Sequence, residues 1–240
     1  MFYGAQPVIE AFRADQHIDK IFMQRGLSTD EAEQIQQLAA EHKVPVAVVP
    51  IEKLNRITKK NHQGIIAFMS AIAYLPLDHV LSNVYDEGRM PLVLVLDRIT
   101  DVRNFGAIAR TAECVGVDAV VVPLKGAAQI GPDAIKTSAG ALNHIPVCRE
   151  ENLKQTIAYL QSYGLQVVAC SEKGSDTIYQ MDFNKPTAII MGSEEDGISN
   201  DLLTKADAIA GIPMLGKVGS LNVSVATGAV LFEAVRQRLG

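Results

Sequence analysis

From Pro91 to the C-terminus, short and nearly uninterrupted apolar runs recur, each separated from the next by a stretch with helical spacing. The runs cover residues 92–96, 119–122, 145–147, 166–170, 188–191 and 208–212. A strand with one face in water alternates apolar and polar side chains. A strand that is apolar at nearly every position has to be covered on both faces, which is the situation in a parallel sheet flanked by helices. The intervening helices are expected over 106–115, 152–163, 200–205 and 223–239. The fold class is therefore α/β, and a ligand site is expected at the carboxyl ends of the strands. No G-x-G-x-x-G follows any of these runs, which argues against a dinucleotide-dependent dehydrogenase.

The segment before Pro91 has a different rhythm. Helix-like patterning covers 6–13 and 30–41, and Thr29-Asp30 ahead of Glu31 and Glu33 reads as a helix start with acids in its first turn. Residues 44–50 are strand-like, 51–57 form a short helix and 64–68 another strand. Pro76 interrupts the pattern before an amphipathic run over 78–85, so two domains are expected, 1–73 and 78–240. A length of 240 residues with 48% apolar content supports a core in each.

The net charge of −5 is unfavourable for a nucleic-acid binder, since Lys and Arg supply the affinity for phosphates. Residues 1–75 are balanced, however, with eight Lys/Arg against eight Asp/Glu. Within them Lys53, Arg56, Lys59 and Lys60 form a basic cluster. Lys53, Arg56 and Lys59 recur at three-residue spacing and are expected to share one helix face, either as a solvated surface or as an RNA contact. No apolar run approaches the ~18 residues of a membrane span, and the first residues lack a secretion signal, so a cytoplasmic protein is expected. Cys114, Cys148 and Cys170 are odd in number and set among apolar residues. They are expected to be buried, reduced thiols, and no metal site is expected.

Three strand-end loops have compositions that structural loops rarely need. The first runs from Leu96 into 106–115 and carries Asn104, Gly106 and Arg110; Asn104 reads equally well as a helix cap and Arg110 as a solvated charge. The second, Gly192-Ser193-Glu194-Glu195-Asp196-Gly197, places a glycine and three acids after a buried strand. This is either a solvated turn or a site for a ligand with hydroxyls and positive charge, and it is a poor phosphate cradle. The third runs from Ile212 through Met214, Gly216 and Gly219 to Ser220-Leu221-Asn222, opening a long apolar helix; it either caps that helix or wraps an apolar ring.

Together and in this order, N-x-G-A-I-x-R-T (104–111), G-S-E-E-D-G (192–197) and I-P-M-x-G-x-x-x-S-L-N-V-S-V-A (212–226) closely resemble the three motifs of the SpoU family of RNA ribose methyltransferases, in the SPOUT superfamily. The resemblance extends from Pro91 to the end and includes Ser138-Ala139-Gly140-Ala141 and His144-Ile145-Pro146. Gly4, Pro7 and His62-Gln63-Gly64 resemble the small substrate-binding domain of the bacterial subgroup that methylates guanosine in large-subunit rRNA.

The resemblance implies a C-terminal trefoil knot, an exception to the usual absence of knots. It implies S-adenosylmethionine held by Gly192, Ile212, Met214 and Leu221, and a homodimer that involves the helix at 223–239. Arg110 matches the family's catalytic arginine, and Asn104, Glu194, Ser220 and Asn222 match the other functional positions. A guanidinium is better suited to binding a phosphate and a developing alkoxide than to acting as a base. The expected activity is ribose 2′-O-methylation of RNA rather than DNA, on 23S rRNA. The alternatives are the same chemistry on tRNA, or a silent RNA-binding protein of ribosome assembly.

Overall fold

Residues 1–240 are described by a computed structural model in which the chain divides into two units, Met1–Ala73 with Gln129–Gly131, and Tyr74–Ala128 with Pro132–Gly240. The first unit contains β1 (Phe2–Tyr3), α1 (Ala5–Arg13), β2 (Ile18–Gln24), α2 (Asp30–Glu41), β3 (Val46–Val49), α3 (Ile51–Ile57) and β4 (Ile65–Met69). Its sheet has the order β1-β4-β2-β3, with β2 and β3 parallel and the other pairs antiparallel. α2 begins where Thr29 Oγ1 accepts from the Ala32 amide at 3.2 Å, the cap anticipated from its sequence. One sheet face, with Ile21, Met23, Ile65 and Ala67, is buried under Val8, Ile9 and Phe12 of α1 and Ala32, Ile35 and Ala39 of α2. The other face, with Tyr3, Phe22, Ile66 and Phe68, is met by α3 through Leu54, Ile51 and Ile57.

One sequence expectation fails in this unit. α3 ends at Ile57 because Thr58 is extended (φ −150°, ψ 148°) and its hydroxyl accepts from the Lys60 amide at 3.2 Å, a local turn that competes with the helix. Lys53 and Arg56 therefore lie on α3, whereas Lys59 lies beyond it and shares no helix face with them. The resemblance carried by His62-Gln63-Gly64 has a structural explanation. His62 is buried, its Nδ1 accepts from the Gly64 amide at 3.1 Å, and its Nε2 therefore donates to Asn55 Oδ1 at 3.0 Å, pinning the turn into β4.

The second unit contains α4 (Leu77–Asp86), β5 (Leu92–Asp97), α5 (Val102–Cys114), β6 (Ala119–Pro123), α6 (Pro132–Thr137), β7 (Val147–Glu150), α7 (Leu153–Ser162), β8 (Gln166–Cys170), β9 (Asp176–Thr177), β10 (Thr187–Gly192), α8 (Asn200–Leu203), β11 (Ala208–Gly211) and α9 (Val223–Leu239). All strands pair in parallel, in the order β7-β6-β5-β10-β8-β11-β9. Every residue of β5 and β10 is buried, as their continuous apolar runs require. Val93, Val95, Ala188 and Ile190 pack with Leu81 of α4 and Ile157 and Leu160 of α7. Phe105, Ile108 and Ala112 of α5 and Val230, Leu231 and Ala234 of α9 are buried as well. Each large apolar side chain so enclosed contributes about 1.5–3 kcal/mol.

α5 starts at Val102 rather than at Gly106, because Asp101 is its cap and accepts from the amides of Arg103 and Asn104, both at 2.8 Å. Asn104 is therefore inside the helix and is not a cap, and Arg110 sits two turns along it. Gly106 sits against α6, where a Cβ would stand 2.1 Å from Thr137 Oγ1. β7 begins at Val147, where the apolar run had suggested its end, since the 3-10 turn Ala141–Asn143 occupies the preceding stretch. Among the cysteines only Cys148 is fully buried; Cys114 is exposed on the last turn of α5 and Cys170 is half-buried, and all three are free thiols.

Candidate active site

The site grows from the carboxyl ends of the central strands. Asp97 closes β5 and is buried; its Oδ2 accepts from the Ser199 amide at 2.7 Å, which ties the start of α8 to β5. Arg98 follows in the left-handed region (φ 58°). Its Nε donates to Asp97 at 3.1 Å, its Nη1 to Asp196 Oδ2 at 2.9 Å and its Nη2 to the Gly197 carbonyl at 3.1 Å. The hydrogen bond to Asp97, above all, holds the Arg98 guanidinium above its ordinary pKa. The first loop thus clamps the second.

The acidic loop closes on itself as well. The Gly197 amide donates to the Ser193 carbonyl at 3.0 Å and the Asp196 amide to Ser193 Oγ at 3.1 Å. A Cβ on Gly192 would lie 2.2 Å from Gly197 C and Ile198 N, so the backbone that approaches this glycine so closely is the loop's own.

The third loop joins the other two through one amide. Asn222 caps α9, its Oδ1 accepting from the Ser224 amide at 3.0 Å and from Ser224 Oγ at 2.6 Å. Its Nδ2 donates to Asn104 Oδ1 at 3.1 Å and to Glu194 Oε1. The Val223 amide also donates to Glu194 Oε1, at 3.4 Å, so this carboxylate sits at the positive end of the α9 dipole. Residues 118 and 28 positions from Asn222 in sequence therefore share a single side-chain amide.

Beside this network lies a cavity of about 540 Å³ at the carboxyl ends of β8, β10 and β11. Gly192, Ile212, Met214 and Leu221 all line it, as do Glu194, Ser220 and Asn222. Asn104 and Arg110 do not; Asn104 reaches the cavity only through Asn222. Arg110 is exposed on α5 and makes no ion pair, and Arg103, seven residues earlier on the same helix face, is likewise exposed and unpaired. Lys53, Arg56 and Lys59 belong to the other unit.

Cys170, Ser171 and Glu172 at the end of β8 form a wall of the cavity that sequence reasoning missed. The available signal was a polar Ser-Glu-Lys following a buried strand of the same sheet. Burial pushes the Cys170 thiol up to about 12, so it lines the cavity as a protonated, weakly polar group and not as a nucleophile. No lysine or arginine lines the cavity, whereas Glu172, Glu194, Glu195 and Asp196 do. The walls therefore favour cationic and hydroxyl-bearing ligands and disfavour phosphates.

Residues 91–232 match the SpoU rRNA Methylase family, and residues 1–75 match the RNA 2′-O ribose methyltransferase substrate-binding domain. The chain belongs to the SpoU family. A Bacillus subtilis protein, YacO, named a TrmH family tRNA/rRNA methyltransferase, is 34% identical over 235 residues, which are 98% of this chain and 94% of that protein. The AdoMet-bound rRNA methyltransferase of Sinorhizobium meliloti is 28% identical with a TM-score of 0.63, covering 97% of this chain and 85% of that one. A structure described for 2-OH methylation of C/U34 on tRNA is 28% identical with a TM-score of 0.58, but covers 63% of this chain and 98% of that one. As a SpoU family member, this chain is an RNA 2′-O-ribose methyltransferase, an α/β protein that has a small N-terminal unit and a unit with a seven-stranded parallel sheet.

Proposed function

We propose that this SpoU methyltransferase acts on a guanosine ribose in 23S rRNA, with Arg110, Asn104, Glu194, Ser220 and Asn222 around the reacting hydroxyl and Gly192, Ile212, Met214 and Leu221 around the methyl donor. The observation that carries the reading is the Asn104–Asn222–Glu194 network, which joins all three motif loops at the rim of one acidic cavity. The methyl donor is S-adenosylmethionine, which when bound supplies an electrophilic methyl group on a sulfonium. The cavity suits it: its volume lies in the roughly 300–1,000 Å³ range of small-molecule sites, it is lined by acids rather than bases, and Met214 and Leu221 give it an apolar side.

The protein groups then divide the work. Asn222 holds Glu194 by Oε1, which leaves Oε2 without a protein partner and able to accept a hydrogen bond from a ribose hydroxyl. Asn104 spends its carbonyl on Asn222, which leaves its Nδ2 available as a donor. Arg110, with no acidic partner to neutralise it, is available to bind the phosphate beside the target ribose and to stabilise the developing alkoxide. Arg103 lies about 10 Å from it along α5, a second cation on the same face.

An rRNA target rather than tRNA is supported by the N-terminal unit: the rRNA methyltransferase neighbour covers 97% of this chain, while the tRNA-directed one covers 63%. We also propose the trefoil knot for the segment after β8, a homodimer and a cytoplasmic location. The dimer is supported by α9, where Val225, Ala229 and Phe232 follow at helical spacing on an exposed stripe, Phe232 being 58% accessible. No helix is long and apolar enough to cross a membrane. The test is radiolabelled methyl transfer to total RNA from cells lacking the protein, followed by mapping of the labelled nucleotide. Label in 23S rRNA guanosine is expected; label in tRNA, or none, overturns the assignment.

A further inference from the structure

The two faces of the N-terminal sheet are chemically unlike. The face under α1 and α2 is a closed apolar core, and the acids Glu10, Asp30, Glu31, Glu33 and Glu41 all sit on those two helices. The opposite face carries aromatic rings on three adjacent strands: Tyr3 on β1, Phe68 on β4 and Phe22 on β2. Only the seven-residue α3 meets this face, and all three rings stay partly accessible rather than fully buried. Phe22 and Phe68 stand edge to face with centroids 5.3 Å apart.

Each ring is accompanied by an ammonium group. Lys20 Nζ lies 5.3 Å from the Phe22 centroid and 5.2 Å from that of Phe68, Lys53 Nζ lies 4.7 Å from Phe22, and Lys60 Nζ lies 5.1 Å from Tyr3. None of the three lysines is ion-paired. Cations interleaved with aromatic faces on a sheet match a strand of RNA with unpaired bases, whose rings stack while its phosphates take the ammonium groups. A duplex offers no free base faces, and an apolar protein partner would strand the unpaired lysines in its interface.

We propose that the β1-β4-β2 face is a stacking platform for unpaired RNA, with Tyr3, Phe22 and Phe68 receiving bases and Lys20, Lys53 and Lys60 receiving the adjoining phosphates. The platform deepens the RNA methyltransferase reading and rests on it. It shifts the RNA contact of Lys53 from the outer surface of α3 to the sheet and adds Lys20, which lies 33 positions away in sequence from its neighbour across Phe22.

The test uses the full chain and an unstructured RNA of about 12 nucleotides carrying 2-aminopurine, whose fluorescence is quenched on stacking. The parent protein is expected to quench it and to bind it more tightly than a duplex of equal length. Phe22→Leu with Phe68→Leu, which keeps an apolar cover over Leu54 and leaves Tyr3 in place, is expected to remove most of the quench and weaken binding about tenfold. Lys20→Gln with Lys53→Gln, on the surface and leaving both rings intact, is expected to weaken binding and lower the salt dependence by about one unit per lysine. S-adenosylmethionine affinity is expected to be unchanged in both. Parent-like binding by the lysine pair, or duplex preference in the parent, overturns the platform while labelled methyl transfer to RNA still upholds the enzyme. Absence of RNA binding and of methyl transfer by the parent overturns both.

Discussion

The two sheets of this protein solve the problem of covering a strand differently, and their sites differ accordingly. In the parallel sheet both faces are closed, so the open space is at the strand ends, where loops from residues far apart in sequence meet around a cavity. In the small mixed sheet one face is closed and the other only partly, so what is accessible is the face itself. A strand-end site suits a compact ligand held on several sides. A sheet face suits a long one laid across it.

The sharpest test of the strand-end site is Arg110→Ala. If Arg110 has the proposed role, loss of its charge is expected to lower methyl transfer by about 10³-fold. Donor affinity, measured by calorimetry, should stay within twofold of the parent value, in ~1:1 binding, because Arg110 does not line the cavity. Wild-type rates would remove Arg110 from the chemistry.

Gly192→Ala reaches the same site from the cofactor side. The new methyl would collide with Gly197 and Ile198, so the acidic loop has to move, and donor affinity is expected to fall by about 10–100-fold as that loop loses its geometry. Unchanged affinity would show that the loop's closure is irrelevant to the donor.

Stability should also divide along the same line. Ile190→Ala in the doubly covered β10 is expected to cost about 2–5 kcal/mol in urea unfolding, while Phe22→Leu on the half-covered face should cost under about 1.5 kcal/mol. Equal costs would mean that the two faces are equally packed.

The smallest effect concerns Glu233 on α9, whose carboxyl Arg236 and then Gln237 hold down to about 2. A depressed carboxyl pKa contributes stability that is present above its ordinary value of 4.5 and is lost as pH falls toward 2. Glu233→Gln is therefore expected to lower Tm slightly near neutrality and to flatten its fall across that acidic window. An unaltered slope of Tm against pH would place the acid sensitivity elsewhere.

Legibility in the sequence followed the same division. α2, α3, β8 and α9 have the bounds that their patterning predicts, because caps and continuous apolar runs are local signals. β2 escaped notice: its opening Ile-Asp-Lys breaks the apolar run, and Asp19 is tolerated there only because the fold gives it an interaction. The start of α5 was displaced because Asn104 looks like a cap, whereas its side chain is spent on Asn222 across the site. Residue types and motif order identified the cavity loops, but not their joining through one amide, nor the wall from Cys170 to Glu172, nor the Arg98 clamp. The amide junction and the Arg98 clamp depend on contacts between segments dozens of positions apart, which no local pattern encodes, whereas the Cys170–Glu172 wall had a local signal in the polar residues after β8.

That dependence has a consequence for synthesis of the chain. The cavity takes its walls from residues 170–172, 191–198 and 212–226, and its central amide belongs to Asn222, about 150 positions after the last strand of the N-terminal sheet. Translation proceeds from the N-terminus at about 5–20 residues per second, so the N-terminal sheet is complete many seconds before the last wall exists. The residues of the first sheet are therefore made well before those that enclose the cavity. The cavity can close only after residue 226 has been made.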